Sequence, residues 1–201
     1  MTTINSIGIN IPIEIVKGGT NASSFATADG IVKYDGTRLV TSSTAKLNSS
    51  DVYTNTSHPA FMAYRGQRVN NVTGNLTYYN YICEEEIFDR GSNYSTATGI
   101  FTAPIAGVYV FGTQVLAVGT TSATELRIKL VSSTGVYPSA QMQRPASNLN
   151  MYAKVYGELN LAAGSTVYPT FYVFGDGADT TDISGGDPTQ VYTYFWGYFI
   201  G

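Results

Sequence analysis

The sequence predicts an all-β protein, a sandwich or jelly roll preceded by an extended β N-terminal arm. Apolar and polar residues alternate in short runs, and Gly, Pro, Asn and Asp interrupt these runs at intervals of about 8 to 12 residues. No window of helical length keeps an apolar stripe at helical spacing. The composition agrees, because Gly and Tyr are abundant, at 21 and 16 of 201 residues, and aromatic residues favour strands.

Size and charge set the first limits on function. Only 12% of residues are charged and 43% are hydrophobic, which predicts a folded chain with one domain of ordinary size and a modest extension. The net charge is −3 and basic residues form no run, so we expect no nucleic-acid partner. No stretch approaches the roughly 18 apolar residues of a membrane span, so we expect no membrane insertion.

The N-terminal arm begins with one amphipathic strand. Isoleucine occupies every second position over residues 7–15, at Ile7, Ile9, Ile11, Ile13 and Ile15, which predicts a single apolar face. One strand cannot bury that face alone, so it must lie on the globular domain, on copies of itself in an oligomer, or on another protein. Pro12 favours an edge or fibrous setting over the middle of a sheet. We expect this strand to be an attachment segment.

The segment after this strand has short repeats and turns. Gly18-Gly-Thr-Asn-Ala22 is followed by Asp-Gly turns at Asp29 and Asp35, which leaves strands too short for an independent core. Residues 11–45 resemble the stalk segments of bacteriophage tail fibres, in which three chains wind together. Residues 41–56 are rich in Ser, Thr and Asn and are interpreted as a neck. We therefore divide the chain into an attachment strand, stalk and neck over 1–57 and a head over 58–201.

Several strands of the head can be predicted individually. Residues 108–111, 126–130 and 192–200 alternate in the manner of strands. Within the first run, Tyr109 and Phe111 share one face. The aromatic residues of the first and last runs are interpreted as core or subunit-interface residues, and they are Tyr109, Phe111, Phe195, Trp196 and Tyr198. Gly197 would let a neighbouring ring approach closely.

One segment of the head carries a family resemblance. Residues 89–111 read DRGSNYSTATGIFTAPIAGVYVF, which resembles the globular head of complement component 1q and its relatives. That family has an acidic or amide residue and an aromatic residue, then Thr-Gly-x-Phe-Thr-x-Pro and Gly-x-Tyr-x-Phe at fixed spacing. Here these positions are Asp89, Tyr94, 98–104 and 107–111.

Two further segments extend the resemblance over about residues 57–201. Residues 59–64 look like the first strand of the family, and residues 195–200 look like its last. Two positions depart, because the upstream Phe of the family is replaced by Cys83 and the aromatic residue two positions beyond Phe111 is Thr113. The resemblance implies a ten-stranded, two-sheet jelly roll like that of the tumour necrosis factor superfamily, and it implies a homotrimer.

We expect the chain not to be an enzyme. His58 is the sole histidine and precedes a proline, and no G-x-S-x-G element supplies a nucleophile elbow. Cys83, the sole cysteine, is interpreted as a small buried residue in a strand. For Glu84–Glu86, alternation places the first and third on one face. A solvated edge or loop, a cation site, and an inter-subunit pair with Arg90 are the three interpretations.

Ligands are expected at the loops. The Gly-rich segment 175–187 contains four carboxylates, Asp176, Asp179, Asp182 and Asp187, and either binds calcium, which prefers such oxygens, or is an ordinary exposed loop. No cofactor is required, and calcium is the one candidate. Loops 70–81 and 147–152 and the acidic loop have a Tyr, Asn, Asp and Thr content that fits either a carbohydrate-binding surface or an ordinary soluble β surface. If they bind sugars, trimer avidity would strengthen weak sites.

The preferred hypothesis is a structural and adhesive virion protein of a tailed bacteriophage, synthesised in the host cytoplasm and displayed on the virion surface. Its N-terminus would attach to tail or capsid proteins, and its head would contact host surface carbohydrate. Tail fibre and capsid fibre both fit. The alternatives are an extracellular bacterial or host binding module of the same family, and a fibre-borne glycan depolymerase, which would need a carboxylate pair that the sequence offers only at Glu84–Glu86.

Overall fold

The structure of the protein is a computed structural model. It describes the backbone of residues 30–34, 39–47 and 53–55, and it describes residues 58–144, 150–177 and 180–201 with their side chains, apart from the side chains of 136 and 137. The chain divides into two compact units, Met1–Ser57 and His58–Gly201. The isoleucines of the predicted attachment strand, residues 7–15, lie outside the described residues.

The described part of the first unit is a small antiparallel sheet. Its strands are β1 (Gly30–Tyr34), β2 (Leu39–Leu47) and β3 (Tyr53–Asn55), in the order β1-β2-β3. Tyr34 pairs with Leu39, so β1 and β2 are the two arms of a hairpin. A bulge between Gly30 and Val32 shifts their register.

The head is a sandwich of two antiparallel sheets, which confirms the predicted all-β jelly roll. Sheet I contains β4 (Ala60–Tyr64), β5 (Val69–Thr73), β7 (Glu85–Arg90), β10 (Gly107–Val118), β13 (Asn150–Leu161), β15 (Thr181–Ile183) and β16 (Tyr194–Phe199). Sheet II contains β6 (Tyr79–Asn80), β8 (Tyr94–Ser95), β9 (Ile100–Thr102), β11 (Glu125–Ser132), β12 (Gly135–Gln143) and β14 (Thr166–Phe174).

Strand β10 organises sheet I. One of its edges pairs with β13 along the whole length, from Gly107 opposite Leu161 to Val118 opposite Asn150. The other edge pairs first with β16 and then with β15. Strands β4 and β7 continue the sheet beyond β16. In sheet II the order is β12-β11-β14-β9-β8, with β6 also paired to β14. The predicted strands at 108–111, 126–130 and 192–200 correspond to β10, β11 and β16.

Aromatic rings fill the space between the sheets. Phe61 stacks on Tyr94 and Phe101, with ring centroids 4.7 and 5.1 Å apart, and Phe111 stacks on Phe195 at 6.0 Å. Such offset and edge-to-face pairs add to the stabilisation that comes from burying the rings. The predicted close approach at Gly197 is present, because a Cβ there would overlap the ring of Phe111.

The two positions that depart from the family pattern lie in this core. Cys83 is fully buried but lies between β6 and β7, outside any strand, so its predicted place in a strand is wrong. Its backbone bonds explain the position, since its N–H donates to the hydroxyl of Tyr94 and its carbonyl accepts from that hydroxyl. Thr113 accepts a hydrogen bond from the buried hydroxyl of Tyr81 at 2.5 Å and donates to the carbonyl of Tyr194. A polar residue that is hydrogen-bonded to Tyr81 therefore stands at position 113, where the family has an aromatic residue.

Candidate functional site

A row of large side chains crosses the outer face of sheet I, the face directed away from the core. In successive strands, Gly112 lies opposite both Tyr156 and Trp196, Trp196 lies opposite Met62, and Met62 lies opposite Phe88. Directly opposed residues project from the same face of a sheet. We call these five positions the aromatic row.

The aromatic row is accessible and apolar. Tyr156 is 77% exposed, Phe88 is 45% exposed, and Trp196 and Met62 are half-buried. Trp196 lies flat over the backbone of Gly112, where a Cβ would overlap the indole ring, and it stacks on the exposed Tyr198 with ring centroids 5.8 Å apart. A contiguous patch of this kind is typical of a protein-protein interface.

The five aromatic residues that the sequence singled out divide between two places. Tyr109, Phe111 and Phe195 are fully buried between the sheets and belong to the core. Trp196 and Tyr198 lie on the outer face of sheet I, where Trp196 belongs to the aromatic row and Tyr198 stacks on it. Alternation along β10 and β16 accounts for this division.

A cavity of about 220 Å³ lies on the outer face of sheet II. We call it the Tyr78 cavity, and its lining residues are Tyr78, Arg127, Ile128, Lys129, Ser139 and Tyr172. Tyr78, from the loop before β6, meets Tyr172 of β14 edge to face with ring centroids 4.6 Å apart. Alternation along the predicted strand at 126–130 places Arg127 and Lys129 on one face, but it could not reveal the two tyrosines that join them.

Positive charge and aromatic rings lie side by side in the Tyr78 cavity. The Nζ atom of Lys129 lies 3.7 Å from the ring centroid of Tyr78, and Cζ of Arg127 lies 5.8 Å from that of Tyr172. Glu125 accepts a hydrogen bond from Nε of Arg127, which raises the pKa of the guanidinium. Burial raises the pKa of the Tyr172 phenol, although the charge of Arg127 opposes the shift.

A second cavity, of about 430 Å³, lies at one end of sheet I. Arg68, Tyr152 and Tyr192 are among its lining residues. Arg68 forms an ion pair with Asp182, so its charge is compensated within the chain. Loop 147–152 was a predicted sugar-binding segment, and of it the structure describes Asn150 to Tyr152.

The aspartates of the predicted calcium loop are held by different partners. Asp176 accepts from the hydroxyl of Thr181 at 3.0 Å. Asp182 accepts from the backbone N–H of Asn71 at 2.7 Å, and it also pairs with Arg68. Asp187 accepts from the N–H and hydroxyl of Thr189, which holds its pKa below the usual value.

Asp179 lies outside the described residues. Among the residues that are described, no three His, Cys, Asp or Glu side chains lie together as a metal site would require. Calcium binding at this loop stays a prediction.

The three consecutive glutamates, residues 84–86, differ in their exposure and in their hydrogen-bond partners. Glu84 precedes β7, and its carboxylate forms an ion pair with Arg65, at 3.3 Å, and accepts from the backbone N–H groups of Gly66 and Gln67. Glu85 and Glu86 are exposed. The predicted alternation of all three along one strand is therefore wrong, because the strand begins only at Glu85.

The described residues also contain no helix of the length and apolarity needed to cross a membrane.

Comparison with known proteins agrees with this architecture. The sequence model of the C1q domain family matches residues 60–200. The chain belongs to the C1q domain family. Domains of this kind are non-enzymatic binding modules, and C1q-like and tumour necrosis factor-like domains commonly form homotrimers. The expectation that the head is not an enzyme agrees with this family.

Similar solved structures include the globular domain of zebrafish complement 1qA protein, with 23% identity and a TM-score of 0.49, over 72% of this chain and 98% of that one. Crystal structures of murine APRIL at pH 8.5 and pH 5.0 give TM-scores of 0.51 and 0.50 at 11% and 12% identity, over 71% of this chain and 99% of theirs. At such identities the likeness shows the fold alone. A comparison with curated proteins found no match.

The C1q motif has a structural role in this chain. The Oδ2 atom of Asp89 accepts from the backbone N–H of Tyr94 at 2.9 Å, which closes the turn that precedes β8. Gly99 has φ of +73°, a left-handed conformation that glycine adopts without strain. Phe101, Tyr109 and Phe111 are core rings. The motif therefore builds the sandwich, and candidate binding groups lie elsewhere.

Proposed function

We propose that the chain is a trimeric surface fibre of a tailed bacteriophage, either a tail fibre or a capsid fibre. In this proposal residues 1–57 attach to tail or capsid proteins and form the stalk, and the C1q head binds host surface carbohydrate. The chain would be synthesised in the host cytoplasm and displayed on the virion surface. The general role of a binding module comes from the family, and the fibre role is our inference.

The aromatic row is the observation that carries the trimer. Water-exposed Tyr156 and Phe88 and half-buried Trp196 belong to one apolar band that crosses five strands of sheet I. Burying apolar surface stabilises association by roughly 25 cal/mol for each Å² removed from water. Three copies arranged around an axis would cover this band in each protomer, which agrees with the common assembly of the family.

The virion role is supported by the sequence of the N-terminal unit. Its Gly-Gly-Thr element at residues 18–20 and the hairpin of β1 and β2 suit the fibre stalk that residues 11–45 resemble. The alternating isoleucines of residues 7–15 offer an apolar strand that requires a partner surface. A particle protein would provide one.

A particle-assembly experiment tests the virion role. We expect the wild-type chain to copurify with phage particles, and we expect the double variant Ile9→Asp, Ile11→Asp to be missing from them, because two charges on the apolar face of the strand prevent its burial. Mass spectrometry of gradient-purified particles measures both.

The control is the double variant Asn10→Asp, Glu14→Gln, which alters only the opposite face of the predicted strand and should be incorporated normally. Normal incorporation of the isoleucine variant would overturn the assignment of the N-terminus. Absence of the wild-type chain from particles would overturn the virion role and favour the extracellular binding module.

A further inference from the structure

We propose that the Tyr78 cavity on sheet II binds an acidic sugar, that is, a hexose ring that carries a carboxylate or sulfate group. The inference deepens the proposed glycan-binding function and rests on it. It assigns the site to four side chains, which are Tyr78, Tyr172, Arg127 and Lys129.

The strand register brings side chains of β11, β12 and β14 together at the Tyr78 cavity. Arg127 lies opposite Tyr172 of β14 on one side and Gln141 of β12 on the other. Lys129 lies opposite Ser139 of β12. Opposed residues project from the same face of a sheet, so these side chains share the outer face of sheet II. The site is therefore built on the rigid ladder of the sheet, with Tyr78 added from a loop.

The two tyrosines form an aromatic wall with unequal exposure. Tyr172 is 7% exposed and is fixed by its neighbours, whereas Tyr78 is 53% exposed. An aromatic ring left this open to water gains stabilisation when an apolar surface covers it. The C–H face of a sugar ring is such a surface, and its hydroxyl groups remain free to bond to polar neighbours such as Ser139. The cavity volume of about 220 Å³ is below the roughly 300 Å³ of sites for drug-sized ligands, which suits a single ring.

The charge of the Tyr78 cavity selects the acidic group. Two of its six lining residues are cations, Arg127 and Lys129, and none of the six is acidic. Glu125 lies beside the cavity, but one of its oxygens accepts from Nε of Arg127 and the other from Nε2 of Gln143 at 2.9 Å. Glu125 therefore orients the guanidinium and compensates its charge, whereas neither of these two contacts involves the Lys129 ammonium. This local excess of positive charge contrasts with the net charge of −3 for the chain.

The guanidinium and ammonium differ in what they offer an anion. Arginine carries five N–H donors in a planar fork, and lysine carries three on a point charge. A carboxylate or sulfate between them would accept charge-assisted hydrogen bonds, which are stronger than neutral ones. A neutral sugar would leave the Lys129 ammonium without an anionic partner, since Glu125 already pairs with Arg127, so we expect discrimination against it.

Titration calorimetry of the full chain tests the proposal. The probes are tetragalacturonate, a sulfated galactose tetrasaccharide, and the methyl ester of tetragalacturonate as the neutral control. We expect one or both acidic probes to bind with a saturable isotherm, and we expect the ester to bind at least about tenfold more weakly, as the loss of a charge-assisted pair implies. Carboxylate and sulfate ligands are distinguished by which acidic probe binds more tightly.

Variants locate the site. Tyr78→Ala should weaken binding of the acidic probe by about tenfold or more, as truncating an aromatic anchor does, and Tyr78→Phe should retain it. Lys129→Gln should reduce the preference for the acid over the ester. Tyr156→Ala and Arg90→Gln, which alter an exposed tyrosine and an exposed arginine of sheet I, should leave the affinity per protomer unchanged.

Failure of the site and failure of the fibre role give different results. Absence of binding by both acidic probes, equal binding of the ester, or full binding by Tyr78→Ala would overturn the proposed site, even in a chain that forms trimers and enters particles. A chain that is monomeric or absent from particles but binds the acidic probe through Tyr78 would uphold the site and overturn the fibre role, because the site lies within one protomer.

Discussion

Cys83 links the stability of the head to alkaline pH. Its thiol is fully enclosed, and burial raises its pKa well above the ordinary value of 9.0, with a smaller contribution from the charge of Glu84. The folded state therefore keeps the thiol neutral at pH values where the unfolded chain ionises it. The stabilisation that this residue contributes is complete below the unfolded pKa and declines as the pH rises above it.

We expect the free energy of unfolding to fall by about 1 kcal/mol between pH 9 and pH 10 on account of Cys83 alone. Urea unfolding of the wild-type chain and of Cys83→Ala at pH 8, 9 and 10 measures this. Ionisation of tyrosines and lysines affects both proteins, so the difference between their pH profiles isolates the thiol. Parallel profiles would contradict the enclosed, neutral thiol.

Individual residues also show how far side-chain burial and side-chain partners could be predicted from the sequence. Burial of Cys83 was predictable from its residue type, because free cysteine is among the most buried residues. The ion pair between Arg65 and Glu84 was not, because it joins the end of one strand to the segment before another. The polar pair of Tyr81 and Thr113 was likewise missed, since the family pattern pointed to an aromatic residue at position 113. In both cases the partner is defined by tertiary structure.

At the scale of the element, β16 contributes side chains both to the core and to the outer face of sheet I. Phe195 is directed into the core and Trp196 out of it, while Gly197 makes room for two core rings. A Cβ at Gly197 would overlap the Phe111 ring and lie 3.1 Å from Cε1 of Phe61. Neither ring has free space to move into, because both are almost fully buried.

We therefore expect Gly197→Ala to lower the free energy of unfolding by about 1 to 3 kcal/mol, the usual cost of overpacking a core. The matched control is Gly177→Ala, where the nearest neighbour, Cγ2 of Thr180, would lie at an ordinary 3.5 Å, and where we expect a change within about 0.5 kcal/mol. Chemical denaturation measures both. Equal stability of the two variants would contradict the packing described for β16.

The strands themselves were predictable, whereas their neighbours were not. Alternation identified β10, β11 and β16 because each has one face in the core. The pairing of β10 with β13 and β16 brings together segments far apart in sequence, and no local pattern encodes that register. For the same reason the aromatic row and the Tyr78 cavity could not be predicted in full, although Trp196, Arg127 and Lys129 each lie in a predicted strand.

At the scale of the whole molecule, the two sheets of the head differ in their outer faces. Sheet I presents the aromatic row, which is apolar and continuous across its strands. Sheet II presents the Tyr78 cavity, where rings alternate with cations. In our proposal assembly uses sheet I and ligand binding uses sheet II, so that a trimer would bury the first outer face and display three copies of the second. Linked copies of a weak site raise the apparent affinity for a repetitive surface.

Substitutions of two exposed tyrosines test assembly and ligand binding separately. Tyr156 is the most exposed member of the aromatic row, and Tyr78 is exposed on sheet II. A charge placed within an apolar interface must be desolvated on association. We therefore expect Tyr156→Asp to yield a folded monomer, and we expect Tyr78→Asp to assemble as the wild type does.

The molar mass of the purified full chain in solution, measured by light scattering, tests the central claim most directly. The expected mass is three times 21.6 kDa for the wild type and for Tyr78→Asp, and 21.6 kDa for Tyr156→Asp, with circular dichroism showing that both variants keep the β fold. A monomeric wild type, or a trimer that persists in Tyr156→Asp, would contradict assembly through the aromatic row.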